Sequence, residues 1–306
     1  MKIYTLTLNP AYDVHAFTDT LTLHCENLAD IQSREAGGKG VNISRALQSG
    51  NIPNTALIVL GKDNCADFKK ALSGFDCILL EKDGRIRENL TIHCADEPET
   101  RISFAGFSVD DSLLDEVSAQ LSIEPDTIIT FTGRIPKGVR KEKAKAFLKA
   151  LRDRGARIVL DSKSFSAADI FEIRPWLIKP NQEEISAYLG CEIHTLEQAL
   201  EKASVFVAHG ITNTMVSLGG QGAILLCDGK AYLATCPAID AVSTIGAGDS
   251  TIAGFLAATY QGKAVAQCLQ TAVAYGTAAC LTPGTLPPRP EDFHEIYTKV
   301  SVKEVM

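Results

Sequence analysis

The chain of 306 residues is long enough for one large α/β domain or two smaller ones, and its 45% hydrophobic and 22% charged residues are ordinary globular values. A formal net charge of -7 argues against a general nucleic-acid binder and for a small-molecule partner, while leaving room for a local basic pocket. Nine cysteines, odd in number and without a C-x-x-C pair, exclude a disulfide framework and a zinc cluster; they read as reduced thiols of a cytoplasmic protein, and the dipeptide His93-Cys94 is assigned a structural role.

The alternating, β-branched start from Met1 to Leu8, stopped by Asn9-Pro10, predicts a first strand rather than a signal peptide, and no apolar run is long enough to span a bilayer. Residues 14–17, 28–32, 89–93 and 101–104 form short alternating segments that do not each lead into a helix. They predict a small accessory sheet built from about 13–35 and 87–107, interrupted by a helix at 41–47 and a βα unit near 56–72. A lid explains such an insertion, and an edge extension of the main sheet is the alternative.

From about residue 126 short β-rich runs alternate with helical periods. A strand at 127–131 precedes a helix with Ala144, Phe147, Leu148 and Leu151 on one face; strands at 158–160 and 176–178 end at Asp161 and at Lys179-Pro180-Asn181, the latter followed by a helix at 183–189. Further strands are predicted at 205–208, 214–218 and 223–227. This rhythm predicts an α/β fold with a doubly wound, mostly parallel sheet flanked by helices, in one domain spanning 1–306. Ligands of such sheets bind beyond the carboxyl ends of the strands.

The run from Ser243 to Ser250, followed by apolar residues 251–260, sets a carboxylate among glycines where a helix begins. Gly246, Ala247 and Gly248 bring backbone amides to the positive end of that helix, and an anion hole beside Asp249 suits phosphoryl transfer. A plain N-cap on helix 250–260 is the other explanation of Asp249. A second glycine turn, Gly37-Gly38-Lys39-Gly40, also feeds a helix; Gly40 after Lys39 excludes a Walker A loop, but the cation and the helix end suit a polar or phosphorylated substrate. Asn42, one turn further, is placed to hydrogen-bond a sugar hydroxyl, and Asp13 either accepts two such hydroxyls or caps a turn. Arg87 and Asn89 open a segment of the accessory sheet, where a guanidinium grips a phosphate or simply faces water. Asn181 and Glu184 make a capping box or, alternatively, belong to the hydration shell of a nucleotide-bound Mg2+. The turn Ser217-Leu-Gly-Gly-Gln-Gly222 is a hairpin connection or a cradle for nucleotide phosphates.

Six motifs occur in one order: Thr7-Leu-Asn-Pro-Ala-Tyr-Asp13, Gly37-Gly-Lys-Gly-Val-Asn42, Gly133-Arg-Ile-Pro136, Trp176-Leu-Ile-Lys-Pro-Asn181, Ser217-Leu-Gly-Gly220 and Thr244-Ile-Gly-Ala-Gly-Asp-Ser250. In that order the chain resembles the ribokinase-like PfkB carbohydrate kinases, and within them the hexose-phosphate branch that acts on fructose 1-phosphate or tagatose 6-phosphate. The resemblance implies ATP and Mg2+ as cofactors, Asp249 as the base that deprotonates a primary hydroxyl, and amides of Ala247 and Gly248 as holders of the transferring phosphoryl group. It also implies that Asp13, Gly38, Lys39, Asn42 and Asn89 bind the sugar with Arg87 near its phosphate. Lys179, Ser217, Gly219, Gly220 and Gly222 would line the ATP pocket with the segment 278–284, including Ala279. The accessory sheet becomes a lid and, in relatives, a homodimer contact.

Two departures stand out. Arg134 occupies a position where the branch usually carries a small hydroxyl, and Lys163 follows the strand-end Asp161 in an unusual sequence, so both bear on phosphate binding and on the preferred sugar. The leading expectation is a kinase making a ketohexose 1,6-bisphosphate, with fructose 1-phosphate ahead of tagatose 6-phosphate as acceptor. A kinase of an unphosphorylated sugar or nucleoside, and a non-catalytic sugar-phosphate sensor, are the rivals.

Overall fold

Strand sequences as apolar as Ala56-Leu-Ile-Val-Leu60 are stable only where both faces are covered, which demands a helical layer on each side of the sheet. The computed structural model, which describes residues 1–95 and 99–305, has that arrangement. Its strands are β1 (Ile3–Thr7), β2 (Ala11–Phe17), β3 (Asp30–Gly37), β4 (Thr55–Gly61), β5 (Cys77–Lys82), β6 (Arg87–His93), β7 (Thr100–Ser103), β8 (Ile128–Thr132), β9 (Arg157–Asp161), β10 (Leu177–Ile178), β11 (Asn213–Ser217), β12 (Ala223–Cys227), β13 (Lys230–Thr235) and β14 (Ser301–Glu304). Its helices are α1 (Lys39–Ser49), α2 (Ala66–Ala71), α3 (Ser112–Gln120), α4 (Lys141–Asp153), α5 (Ala167–Ile173), α6 (Gln182–Leu189), α7 (Leu196–Ala208), α8 (Ala247–Tyr260), α9 (Val265–Ala279) and α10 (Pro290–Lys299).

Ten strands pair in the order β14-β13-β12-β11-β10-β9-β8-β1-β4-β5. Pairing is parallel from β5 through β11 and antiparallel from β11 to β14. One face packs on α3 to α7 through residues such as Val117, Leu148, Ile173, Ile185 and Phe206. The other packs on α1 and α8 to α10 through Ile43, Phe255, Leu269 and Ile296. The chain leaves β1 toward β4 and β5 and later returns to β8 on the opposite side of β1, so the order reverses there. A reversal of this kind opens a crevice at the carboxyl ends of the strands.

The accessory strands form a separate four-stranded sheet in the order β3-β2-β6-β7, not hydrogen-bonded to the large one, which removes the edge-extension alternative. The segment expected at 28–32 begins at Asp30 and runs on to Gly37. Tyr12 fastens this sheet to the large one: its ring meets Phe68 edge-on at 5.4 Å, and its hydroxyl donates to the Asn64 carbonyl at 2.6 Å and accepts from the Phe68 amide at 3.0 Å. His93 lies on the small sheet with Nε2 3.0 Å from Nδ1 of His15, and among the described residues no cluster of three metal-ligating side chains exists.

The strand expected at 205–208 is instead the last turn of α7. Its β-branched composition misleads, because Ala199, Ala203 and Phe206 recur at helical spacing and are buried together, and Thr195 with Gln198 forms a capping box at the start. Phe206 packs against Phe171 and Tyr188 with ring centroids at 5.3 and 6.2 Å. Truncating it to Ala is expected to cost about 3 kcal/mol through lost contacts and the cavity left behind, measurable as a lower urea midpoint with an unchanged slope.

Candidate active site

Five adjacent strand ends supply Thr7, Thr132, Asp161, Lys179 and Ser217 to the wall of one cavity of about 1330 Å³. From β1 to β11 there are four strand spacings, roughly 19 Å, enough to seat two ligands end to end. Buried oxygens of Thr7 and Thr132 find no protein partner, and neither does Asn42 Oδ1 or Arg87 Nε. Polar atoms left so at a cavity wall are ready for a polar ligand.

At the centre stands Asp249. The helix α8 begins at Ala247, its N-cap is Gly246 with φ 81°, and no side chain caps it. Asp249 is therefore inside the first turn, and the N-cap explanation of this residue does not hold. Its buried carboxylate accepts from Asn42 Nδ2 at 2.9 Å. A Cβ on Gly248 would lie 3.1 Å from Lys179 Nζ, so the lysine ammonium sits close beside the first turn of the helix. Lys39 at the start of α1 donates to Asp161 Oδ2 at 2.9 Å, across 122 positions of sequence.

Burial pushes the Asp249 carboxyl up to about 6, aided by the Asp161 charge and opposed by Lys39, Asn42 and Lys179. Burial acts the same way on Asp161, but Lys179 and Lys39 overcome it and hold this carboxyl below the usual range. Burial disfavours the Lys39 ammonium, yet Asp161 and Asp249 outweigh it and raise its pKa. Two carboxylates in one electrostatic field thus separate into a firmly ionised one and one that releases its proton near neutrality.

Toward the small sheet, Asn89 Nδ2 donates to Asp13 Oδ1 at 2.8 Å, and Arg87 donates to Asn89 Oδ1 at 2.7 Å. Arg101 lies 3.5 Å from the same Asp13 oxygen. Burial lowers the Arg87 pKa, and the like charges of Arg101 and Arg134 lower it further while Asp13 opposes them. Three guanidinium groups converging on one wall with one carboxylate among them attract a polyanion. Gly38, with φ 121°, lets the chain turn into α1 beside them, and Arg134 lines the same wall.

Toward the far end, Ser217, Gly219, Gly220 and Gly222 line the cavity, the last three in a 3-10 turn between β11 and β12 and its exit. Cys236 donates to the Gly220 carbonyl at 3.1 Å. Ala279 does not line the cavity: it is buried in the last turn of α9, whereas Gly276, Thr277 and Cys280 face the opening. Within the segment 278–284, Cys280 alone reaches the wall among the described residues. The Asn181–Glu184 capping box is present, with bonds of 2.7 and 3.1 Å, and leaves Glu184 Oε1 facing Lys163 Nζ at 3.4 Å. Sequence reasoning gave Asp161 no role beyond its place at a ligand-facing strand end, and passed over Arg101 as a site residue. The position of Asp161 at a strand end was the available signal, while its ion pair with Lys39 was invisible.

A model of the pfkB family of carbohydrate kinases matches residues 8–292. The chain belongs to this family. As a carbohydrate kinase it is an enzyme that takes ATP as phosphoryl donor. It is similar to 1-phosphofructokinases of Haemophilus influenzae (30% identical, covering 91% of this chain and 90% of that protein) and Rhodobacter capsulatus (31%, covering 99% and 98%). The solved phosphofructokinase-2 of Escherichia coli in complex with fructose-6-phosphate superposes with a TM-score of 0.89 at 27% identity, covering 97% and 98% of the two chains.

The raised pKa of Asp249 carries a sign that can be checked. Its favourable contribution to stability is complete below the unfolded value of 3.8 and is lost as pH rises through about 6. Asp249→Asn is accordingly expected to raise the melting temperature by a few degrees at pH 7.5, with the gain disappearing toward pH 4, as followed by differential scanning fluorimetry.

Proposed function

We propose that this kinase phosphorylates the primary hydroxyl of a ketohexose phosphate to give a ketohexose 1,6-bisphosphate, with fructose 1-phosphate as first acceptor. The observation that carries the proposal is one cavity in which the buried Asp249, at a helix start, stands between an arginine-lined wall and a glycine turn. In this reading Asp249 accepts the proton of the acceptor hydroxyl while the amides of Ala247 and Gly248 and the Lys179 ammonium receive charge on the transferring phosphoryl group. Asp13, Gly38, Asn42 and Asn89 hold the sugar, with Arg87 and Arg134 on its phosphate and Lys39 alongside. Ser217, Gly219, Gly220 and Gly222 cradle the nucleotide. The small sheet, from about 13–35 and 87–107, acts as a lid within one domain of 1–306. The names of the relatives at 30 and 31% identity support this substrate class.

With no cluster of three ligating side chains among the described residues, the site has no all-protein cage for Mg2+. One carboxylate and one amide, Glu184 and Asn181, fit an ion carried on nucleotide phosphates and held by the protein through water. Such an ion would neutralise phosphate charge.

Among the described residues no helix is long and apolar enough to cross a membrane, and all nine cysteines are free thiols, which supports a cytoplasmic enzyme. Among the described residues, six of the ten exposed large hydrophobic side chains lie at 17–31 and 102–104, including Leu28 at 86% and Ile31 at 68% exposure. We assign this apolar surface to a second copy of the chain, in keeping with the tetrameric form of the Escherichia coli phosphofructokinase-2. Ile31→Lys is expected to shift the sedimentation profile toward monomer.

The direct test is ADP release with Mg·ATP against fructose 1-phosphate, tagatose 6-phosphate, fructose 6-phosphate and the free sugars. Phosphorylated ketohexoses are expected to exceed free sugars in kcat/KM by at least about a hundredfold, since an unfilled arginine wall forfeits charge-assisted bonds. Equal use of free sugars would refute the assignment. Asp249→Asn is expected to lower kcat by at least about a hundredfold, and unchanged turnover would remove it as the base.

A further inference from the structure

Lys39 has the carboxylates of Asp161, Asp249 and Glu184 within its electrostatic reach, and makes its ion pair with Asp161 at 2.9 Å. The hydrogen-bond partner of Asp249 is the neutral amide of Asn42, also at 2.9 Å. A buried carboxylate locked in an ion pair with an ammonium is a poor proton acceptor, because the pair must break or the charge be abandoned when the proton arrives. The choice that Lys39 makes between Asp161 and Asp249 therefore matters to any chemistry at Asp249.

We infer that Asp161 is a positioning residue: its carboxylate holds the Lys39 ammonium beside, rather than on, the Asp249 carboxylate, so that Asp249 stays free for the acceptor hydroxyl. The inference rests on the reading of Asp249 as the base and adds to it the residue that keeps it available. The arrangement draws on three elements. Lys39 and Asn42 come from the first turns of α1, Asp161 from the carboxyl end of β9, and Asp249 from the first turn of α8. Other charged groups face the cluster: Lys179 from the end of β10 acts on both carboxylates, Lys163 acts on Asp161, and Glu184 of α6 acts on Lys39. Tyr188 of α6 completes the surroundings of Asp161, with its hydroxyl pushed up to about 12 by burial and then by the nearby carboxylates. Asp161 is buried whereas the Lys39 side chain is 36% exposed, so the pair is shielded from solvent and salt on its carboxylate side only.

Two effects of Asp161 act on Asp249 in the same direction. Its own negative charge disfavours ionisation of Asp249, and its hold on Lys39 keeps a cation from collapsing onto the base. Replacing Asp161 with Asn removes the charge, keeps the shape, and frees Lys39 to pair with Asp249. Replacing Lys39 with Met leaves both carboxylates and removes the cation. The two substitutions should therefore move the Asp249 titration in opposite directions.

The test reads the base without turnover, by carbon-13 carboxyl NMR titration of the full chain labelled at Asp, with the Asp249 signal assigned by its loss in D249N. The titration midpoint in D161N is expected to fall by about one pH unit, and that in K39M to rise. Turnover of fructose 1-phosphate by D161N is expected to drop at least tenfold in kcat with KM for ATP little changed. A folded D161N whose Asp249 midpoint is unchanged or raised overturns the inference. Should D161N not fold, D161S read in the same way decides: a lowered Asp249 midpoint supports the arrangement, and one that stays or rises overturns it. Full turnover by D249N together with the expected midpoint shifts would instead remove the base assignment while leaving the charge arrangement intact.

Discussion

Everything around the centre answers to one constraint, the burial of the Asp249 carboxylate at the head of a helix. Taking a carboxylate out of water is costly, and here the cost is offset by the Asn42 amide and the ammonium groups of Lys39 and Lys179, with the positive end of the α8 dipole close by. None of these groups lies on the same element as another except Lys39 and Asn42, so the carboxylate is satisfied only when β10, α1 and α8 are docked together. The small residues of α8 and α9 make that docking close: a Cβ on Gly254 would lie 2.6 Å from the Thr271 carbonyl. The helix whose start bears Asp249 cannot slide without opening that contact.

The large sheet acts as a ruler for the rest. Parallel strands end on the same side, so β1, β8, β9, β10 and β11 deliver polar residues to one line at the strand spacing. The apolar clusters on the two faces fix the helices that open above that line. The small sheet, held by Tyr12 against Phe68 and Asn64, adds the arginine-lined wall that the large sheet lacks. Charge is correspondingly uneven along the cavity. Guanidinium groups gather at one end, carboxylates and ammonium groups alternate in the middle, and backbone amides of a glycine turn take over at the other, an order suited to a phosphorylated sugar facing a nucleotide.

A net negative chain thus carries a locally basic cleft. The charge that opposes anion binding in bulk is spread over the exterior, and within a Debye length of the cleft the nearby arginines and lysines dominate. The same separation lets two carboxylates close to each other differ: Asp161, paired with Lys39, stays ionised, whereas Asp249, whose hydrogen-bond partner is the Asn42 amide, rises toward neutrality.

What the sequence determined by itself was local and periodic. Strand and helix alternation after residue 126, the glycine turns before α1 and α8, and the capping box of Asn181 with Glu184 depend on neighbours a few positions apart, and the chain order of the motifs named the family. Where local signals conflicted, tertiary packing decided: the β-branched residues 205–208 joined α7 because Phe206 needed the same face as Ala199 and Ala203. Ala279 turned into the interior while Cys280 faced the cavity, since one residue of rotation on a helix end is invisible to composition. Only the folded structure brought Lys39 to Asp161 across 122 positions and Asn42 to Asp249 across 207. Sequence states which groups are available, but the balance between burial and pairing that tunes a carboxylate is set by distances between elements that meet only when the sheet and its helices have closed.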